Sequence, residues 1–334
     1  MGKLIFKTDK IFVAGASGMV GKSIKETLIK HNYGLKTFKG ELLTPNRKEL
    51  DLLNAESVRS WMRINKPDVV ILAAAKVGGI LANSQCPTDF LLNNLKIQIN
   101  LIEAAWLMGV RRFLFLGSSC IYPRNFNIPI KEEFLLESQL EKTNEYYAIA
   151  KIAGIKLCDA LRKQHGFDAF SLMPTNLYGP NDNYDLDNSH VMAALIRKFL
   201  HAKKRNLPAV TCWGTGLPMR EFLFVDDLAE AVVFCLEKWD PSSSLAPKDQ
   251  TGQPLTILNV GSGTDISIKD LAHKIAKITN YEGEIIWDSS KPDGTKRKLL
   301  DISRISKLGW EATIDLEQGI EKTIKNLDLS KIHL

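Results

Sequence analysis

The chain has 334 residues, 45% hydrophobic and 25% charged, which suits two globular domains or one large α/β domain with an attached lobe. No apolar run reaches the ~18 residues of a membrane span, and the N-terminus runs straight into a strand-and-glycine pattern without a cleavable segment, so a cytoplasmic chain is expected. The net charge of +6 is mild, its basic clusters (203–205 and 296–298) sit in no nucleic-acid-binding motif, and the five scattered cysteines have neither disulfide nor zinc-ligand spacing, so no nucleic acid, membrane or metal is expected as a partner.

KIFVAG (10–15) has the length and composition of a buried strand. GASGMVG follows at once, placing Gly15, Gly18 and Gly21 ahead of VGKSIKETLIK, whose apolar residues recur three and four apart as in a helix. Glycines there allow a tight turn and bring backbone N–H groups up to a pyrophosphate at the helix N-terminus. The spacing is GxxGxxG rather than GxGxxG, and its position between strand and helix predicts a dinucleotide site. GLKTFKG (34–40) is read as the next strand, ending where an adenosine ribose sits. Lys36, Lys39 and, further on, Arg47 outnumber Glu41 there, which suits a 2′-phosphate and hence NADP(H).

DVVILAAA (68–75), RFLFLGSS (112–119) and DAFSLMP (168–174) read as further buried strands, with NLKIQINLIEAAWLMG and YAIAKIAGIKLCDALRKQ as helical stretches between them. This alternation predicts an α/β fold: a doubly wound parallel sheet, Rossmann-like, with a smaller interleaved C-terminal lobe. DPSSSLAPKDQTGQP (240–254) reads as a surface insertion, TILNVGSG as a returning strand, and SIKDLAHKIAKITN as a helix capped by Ser267. The expected division is 9–178 plus about 226–262 for the NADP(H)-binding part, and 179–225 plus about 263–330 for the lobe.

Two short stretches carry chemistry. In YAIAK, Tyr147 and Lys151 lie one helical turn apart on one face, where an ammonium would lower the tyrosine pKa from about 10. Alone, the pair is equally an ordinary surface contact. In GSSCIYP (117–123), Cys120 is an inert thiol, a metal ligand or an acid–base group, and the absence of zinc spacing removes the second.

GxxGxxG, Ser118-Ser119 at a strand end and YxxxK together resemble the extended branch of the short-chain dehydrogenase/reductase family, and PTNLYGP (174–180) and REFLFVDD (220–227) extend the resemblance over essentially the whole chain. Nucleotide-sugar 4,6-dehydratases of that branch carry an Asp-Glu pair where Ser119 and Cys120 stand here, and UDP-hexose 4-epimerases carry a small or hydroxyl residue. LGSSCIYP, AAAKVGGI (73–80), NEYYAIAKIAGIKLC (144–158), DNSHV (187–191), WGTGLPMREFLFVDD (213–227) and KPDGTKRKLLD (291–301) resemble the GDP-L-fucose synthase family.

That resemblance implies an NADPH-dependent enzyme acting on GDP-4-keto-6-deoxy-D-mannose, inverting C3 and C5 and then reducing C4. It implies that Ser118 hydrogen-bonds the substrate oxygen, Tyr147 exchanges a proton with it, and Lys151 holds the nicotinamide ribose. Cys120 and His190 are implied as the acid–base pair of the epimerisations, and a thiol and an imidazole both titrate near neutrality. The implied cofactor set is Gly15, Ala16, Ser17, Gly18, Met19, Val20, Gly21, Arg47, Asp51, Leu52, Lys151, Pro174, Thr175, Asn176, Leu177 and His190. Ser17 stands where bacterial members carry Arg, which leaves Arg47 as the main candidate for a 2′-phosphate. Lys198, Trp213, Arg220 and Asp293 are implied at the GDP-sugar, with the two cations suited to the diphosphate. A homodimer pairing helices near 93–108 and 147–164 is also implied, and the other four cysteines are read as structural. The rival expectations are another nucleotide-sugar epimerase or reductase of the branch, and a non-catalytic NADP(H)-sensing module.

Overall fold

The structure is a computed structural model and describes residues 4–185, 189–291 and 293–327. Asp187 and Asn188 of DNSHV, and Pro292 of KPDGTKRKLLD, lie outside the described residues. The strands are β1 (Lys10–Ala14), β2 (Glu41–Leu43), β3 (Val69–Leu72), β4 (Arg112–Leu116), β5 (Ala169–Pro174), β6 (Asn176–Tyr178), β7 (Ala209–Trp213), β8 (Met219–Phe224), β9 (Ile257–Val260), β10 (Asp265–Ser267), β11 (Glu284–Asp288) and β12 (Arg297–Lys298). The helices are α1 (Met19–Lys30), α2 (Ala55–Asn65), α3 (Ile80–Gln85), α4 (Pro87–Leu107), α5 (Glu145–His165), α6 (Val191–Arg205), α7 (Val225–Lys238), α8 (Ile268–Ile278), α9 (Ser303–Leu308) and α10 (Leu316–Lys325).

Six strands form one sheet in the order β2-β1-β3-β4-β5-β9, every neighbouring pair parallel. The apolar runs of β1, β3, β4, β5 and β9 are buried on both faces, as a parallel sheet requires, while the edge strand β2 is only partly covered. Side chains alternate between faces. Phe12, Val70, Phe113 and Phe115 pack with α2, α4 and α5, whereas Ile11, Val13, Ile71 and Leu114 pack with α1, α7 and α9. Each such side chain contributes ~1.5–3 kcal/mol on leaving water. The strand order reverses between β1 and β3, and the crevice outside the carboxyl ends of strands at such a switch point is where this architecture binds ligands.

A third apolar cluster joins α6, α8 and α10 to β7 and β8. Around it, β8 pairs with β6, β10 and β12, and β11 pairs with β7. Ser267 caps α8 as its sequence promised, its Oγ accepting from the Asp270 N–H at 3.0 Å.

The second strand differs from its expected place. Residues 36–38 form a single 3-10 turn that ends with Lys39 in the left-handed region (φ 60°), and the strand begins only at Glu41. Gly34 (φ 69°) and Gly40, where a Cβ would lie 2.2 Å from the Lys7 carbonyl oxygen, bracket this turn. The register pairs Lys10 with Glu41 and Phe12 with Leu43. Lys36, Lys39 and Glu41 therefore sit at the amino end of the sheet, away from the glycine turn. The chain leaves β2 toward Arg47 at the carboxyl end. Of the basic residues read as favouring a 2′-phosphate, Arg47 alone lies on the ligand side.

Candidate active site

The glycine turn is a cradle built by close backbone contacts. Gly15 has φ 89°, and a Cβ on it would lie 2.7 Å from the Ala74 nitrogen at the end of β3. A Cβ on Gly21 would lie 2.1 Å from the Gly15 carbonyl oxygen. Gly18 is the N-cap of α1, and no side chain caps it. The first-turn N–H groups of Met19, Val20 and Gly21 thus face the crevice with the positive end of the helix dipole behind them. Ser17 rides on the outside of the turn, whereas Ala16 is half-buried against the apolar cluster that includes α1 and α7. This donor set fits the pyrophosphate of a dinucleotide.

Arg47 is exposed and makes no hydrogen bond or ion pair among the described residues. Asp51 and Leu52 are fixed near it, Asp51 Oδ1 accepting from the Leu53 N–H at 3.0 Å and the Leu52 carbonyl accepting from Asn100 Nδ2 at 2.9 Å. At the end of β5, Pro174 pairs with Val260, and Thr175 Oγ1 and Asn176 Nδ2 both donate to the Glu221 carbonyl, at 3.2 and 2.8 Å. Leu177 continues into β6. The Glu221 carboxylate is fully buried and accepts from the Gly263 and Leu300 N–H groups; burial pushes its pKa up even so.

Beyond β4 the chain makes a three-residue 3-10 turn, residues 119–121, with Ser118 as its N-cap. Ser118 Oγ accepts from the Cys120 N–H at 3.2 Å. Burial alternates along the turn: Ser119, Ile121 and Tyr122 face inward, while Ser118 and Cys120 remain half-buried at the crevice. Tyr147, on the first turn of α5, meets the same point. Burial and the neighbouring Cys120 raise its pKa, and a hydrogen bond with Ser118 opposes them. Lys151 is 3% exposed and donates to the Leu116 carbonyl at 2.8 Å, with its Nζ 6.0 Å from the Tyr147 ring centroid. Desolvation lowers its pKa to about 7. The expected lowering of the tyrosine pKa by an ammonium is therefore not found: the lysine is turned onto a backbone carbonyl, and desolvation brings its own pKa down to about 7.

His190 is the N-cap residue of α6, and its imidazole makes no hydrogen bond or ion pair among the described residues. The residue is exposed, and partial desolvation by the surrounding chain draws its pKa down. Nothing among the described residues ties it to the Ser118, Cys120 and Tyr147 group.

The four residues implied at the GDP-sugar do converge. Lys198 Nζ donates to the Thr211 carbonyl at 2.8 Å and stands 5.4 Å from the Trp213 ring centroid. Trp213 is 51% exposed, an unburied indole face at the crevice. Asp293 accepts from the Thr215 N–H at 2.7 Å and from its hydroxyl at 2.8 Å, tying the 213–217 loop to the loop before β12. Arg220 joins the two groups. Burial lowers its pKa, while Cys120, Asp293 and Glu141 act in the opposite sense, so its guanidinium lies within electrostatic reach of both the thiol and the lobe carboxylate. Among the described residues its one hydrogen bond runs from Nη1 to the Met219 carbonyl at 2.8 Å.

Sequence reasoning passed over two residues here. Lys291 places its Nζ 5.4 Å from the Trp213 centroid, so two cations flank one indole; it stands in the KPDG stretch two positions before Asp293. Glu141 receives the Thr295 hydroxyl at 3.2 Å and approaches Arg124 to 3.5 Å, and nothing in its local sequence marks it. Of the cysteines read as structural, Cys158, Cys212 and Cys235 are buried, with Cys235 pushed up to about 12 by desolvation, but Cys86 is exposed at the N-cap of α4.

A family model described as the NAD dependent epimerase/dehydratase family matches residues 11–246. The chain is 48% identical to the probable GDP-L-fucose synthase 1 of Oryza sativa subsp. japonica, over 96% of this chain and 92% of the relative. It is 47% identical to the GDP-L-fucose synthase of Escherichia coli (strain K12), over 94% of this chain and 95% of that one. Among solved structures, MlghC, the GDP-mannoheptose C4 reductase from Campylobacter jejuni with NADP bound, superposes with a TM-score of 0.85 at 33% identity, covering 96% of this chain and 98% of that one. With a glycine cradle at the switch point, a Tyr–Lys pair beside it and relatives that match from end to end, the chain belongs to the NAD dependent epimerase/dehydratase family.

Proposed function

We propose that the protein is an NADPH-dependent enzyme that converts GDP-4-keto-6-deoxy-D-mannose to GDP-L-fucose, inverting C3 and C5 and then reducing C4. The observation that carries this reading is the position of Cys120, on the same turn as Ser118 and beside Tyr147, so that a thiol and a proton-donating pair share one crevice. Relatives named GDP-L-fucose synthase along nearly the full length support the substrate.

Bound NADPH supplies the hydride that reaches C4. Residues 15–21 hold its pyrophosphate, Arg47 its 2′-phosphate and Lys151 the nicotinamide ribose, with Asp51, Leu52, His190 and residues 174–177 completing the cofactor site. Lys198, Arg220, Trp213 and Asp293 hold the GDP-sugar, the cations on its diphosphate. The C4 ketone acidifies the hydrogens on C3 and C5, and hydrogen bonds from Ser118 and Tyr147 to its oxygen stabilise the enolate formed on deprotonation. Cys120 removes each proton and His190 returns one to the opposite face. Desolvation draws the His190 pKa down, and the substrate's diphosphate charge acts in the opposite sense. The raised pKa of Tyr147 keeps its phenol protonated, the form from which the C4 oxygen takes its proton during reduction.

The test is NADPH oxidation by the purified protein with GDP-4-keto-6-deoxy-D-mannose against the UDP-linked 4-keto-6-deoxy sugar. Turnover with the GDP substrate is expected, and its absence would overturn the reading. Arg47→Ala is expected to weaken NADPH binding about 10–100-fold, the loss of one charge-assisted contact, while NADH binding changes little. Fluorescence titration with the two cofactors checks this.

The division into a cofactor part (9–178 and about 226–262) and a lobe (179–225 and about 263–330) is part of the same proposal, supported by the separate apolar cluster of α6, α8 and α10. A homodimer is proposed through α4 and α5, which leave Leu92, Ile99, Tyr146 and Ile149 exposed. No described helix is long and apolar enough to cross a membrane, and a cytoplasmic location is proposed with the reaction.

A further inference from the structure

The turn that carries Cys120 is weakly held by its own backbone. Its two closing bonds are long, Ile121 N to the Ser118 carbonyl at 3.2 Å and Tyr122 N to the Ser119 carbonyl at 3.4 Å, and a lone 3-10 turn has poor hydrogen-bond geometry. What fixes it lies behind it. Tyr122, 2% exposed, donates its hydroxyl to Asn259 Oδ1 at 2.5 Å. Asn259 is fully buried in β9, and its amide donates to the Ile130 carbonyl at 2.9 Å and the Asp301 carbonyl at 3.1 Å. Its backbone N–H donates to Glu132 Oε1 at 3.0 Å, and the other Glu132 oxygen is held by Arg304. Both amide hydrogens and the amide oxygen of Asn259 are therefore used, each on a different chain segment.

These segments matter to the site. Ile130 and Leu300 form a parallel bridge, with Ile130 N donating to Leu299 and Asp301 N donating back to Ile130, both at 2.8 Å. From Asp301 the chain runs back through β12, where Lys298 pairs with Arg220, to Asp293. One buried amide thus joins the Cys120 turn to the segment that ends at Asp293. Ser118 and Tyr147 have other supports. Ser118 is two residues from β4, whose extension is held by Gly117 N bonding to Leu172 at 2.9 Å, and Tyr147 stands on α5.

We propose that Tyr122 and Asn259 are positioning residues for the epimerisations: their hydrogen bond sets where the Cys120 thiol stands relative to C3 and C5, without setting the hydride-transfer geometry at C4. This rests on the proposed function above. A buried polar cluster of this kind specifies one arrangement because every alternative leaves a donor or acceptor unpaired in a dry site. Removing the Tyr122 hydroxyl leaves the ring packed but frees the far end of the catalytic turn.

The experiment compares Tyr122→Phe with the unmodified protein in two reactions. One is deuterium incorporation from D2O at C3 and C5 of GDP-4-keto-6-deoxy-D-mannose. The other is single-turnover hydride transfer from GDP-L-fucose to NADP+, in which the C4 hydride leaves, the C4 hydroxyl proton goes to the enzyme, and neither the C3–H nor the C5–H bond breaks. Exchange is expected to fall about 10–100-fold in the variant while hydride transfer stays within about threefold. An equal fall in both rates, or no fall in exchange, would overturn the inference. Glu132→Gln keeps the side-chain volume but removes the charge that Arg304 pairs with and so loosens the hold on the Asn259 backbone N–H; it is expected to show the same split in smaller degree, so the question stands even if Tyr122→Phe folds poorly. Absence of exchange in the unmodified protein would overturn the proposed function itself and is recognised without any variant.

Discussion

Lys151→Met is expected to abolish turnover and at the same time to stabilise the cofactor-free protein. The ammonium is 3% exposed, its one hydrogen bond goes to the Leu116 carbonyl, and no carboxylate contributes to its shift. Desolvation lowers its pKa from 10.5 to about 7. Each unit is worth 1.36 kcal/mol, so holding this lysine costs the fold on the order of 4 kcal/mol near neutrality. A methionine of similar length removes most of that cost, and a net gain of about 1–3 kcal/mol is expected. The sign of the pH dependence follows. Between pH 7 and the unfolded pKa near 10.4 the unfolded chain binds a proton that the folded chain does not, so the stability of the unmodified protein rises with pH in that window. The rise between pH 7 and 9 is expected to be on the order of 2 kcal/mol larger than in the Met variant. Chemical denaturation at the two pH values measures it, and equal pH dependence in the two proteins would show that Lys151 is not held at this cost. The activity loss, about 10²-fold or more, comes from the missing cation at the nicotinamide ribose and beside Tyr147. A residue kept at this energetic disadvantage in a crevice is a mark of function rather than of folding.

For Cys120→Ser the expected outcome is a separation of two activities. Serine keeps the size and the turn, including the backbone bond to Ser118 Oγ, but an alcohol is a far weaker acid than a thiol and a poor base at neutral pH. Exchange at C3 and C5 is expected to fall about 10²–10⁴-fold, the usual worth of a positioned acid–base group. Hydride transfer from GDP-L-fucose to NADP+ depends on Ser118 and Tyr147 and is expected to survive. NMR of the sugar and absorbance of NADPH separate the two. Exchange that persisted in this variant would return Cys120 to the status of an ordinary half-buried thiol.

Much of this site is legible in the chain because its signals are local. The strand–GxxGxxG–helix order at Gly15, Gly18 and Gly21 states a backbone requirement, and the contacts with Ala74 and Gly15 show why no Cβ fits there. Tyr147 and Lys151 share a face because a helix turns in 3.6 residues. The alternation of apolar runs with helical periods is enough for the parallel sheet. What is not local is not legible. GLKTFKG looks like a strand, but its bracketing glycines and the left-handed Lys39 turn the chain, and the three-residue strand at Glu41 is too short to announce itself. The direction of the Lys151 ammonium depends on a carbonyl 35 positions away, so the tyrosine–lysine spacing alone misjudged the titration of Tyr147. Glu141 and Lys291 reach the site from separate loops. Asn259 is the clearest case. An asparagine within an apolar strand reads as an irregularity, and its meaning comes from Tyr122, Ile130 and Asp301, which lie between 42 and 137 positions from it.

The most direct measurement of the central claim is one reaction in D2O containing the protein, NADPH and GDP-4-keto-6-deoxy-D-mannose, with the product analysed by NMR. The expected product is GDP-L-fucose with deuterium at both C3 and C5 and protium from NADPH at C4. Oxidation of NADPH with no deuterium at C3 or C5 would contradict the account, since it would describe a plain 4-ketoreductase in which Cys120 takes no part.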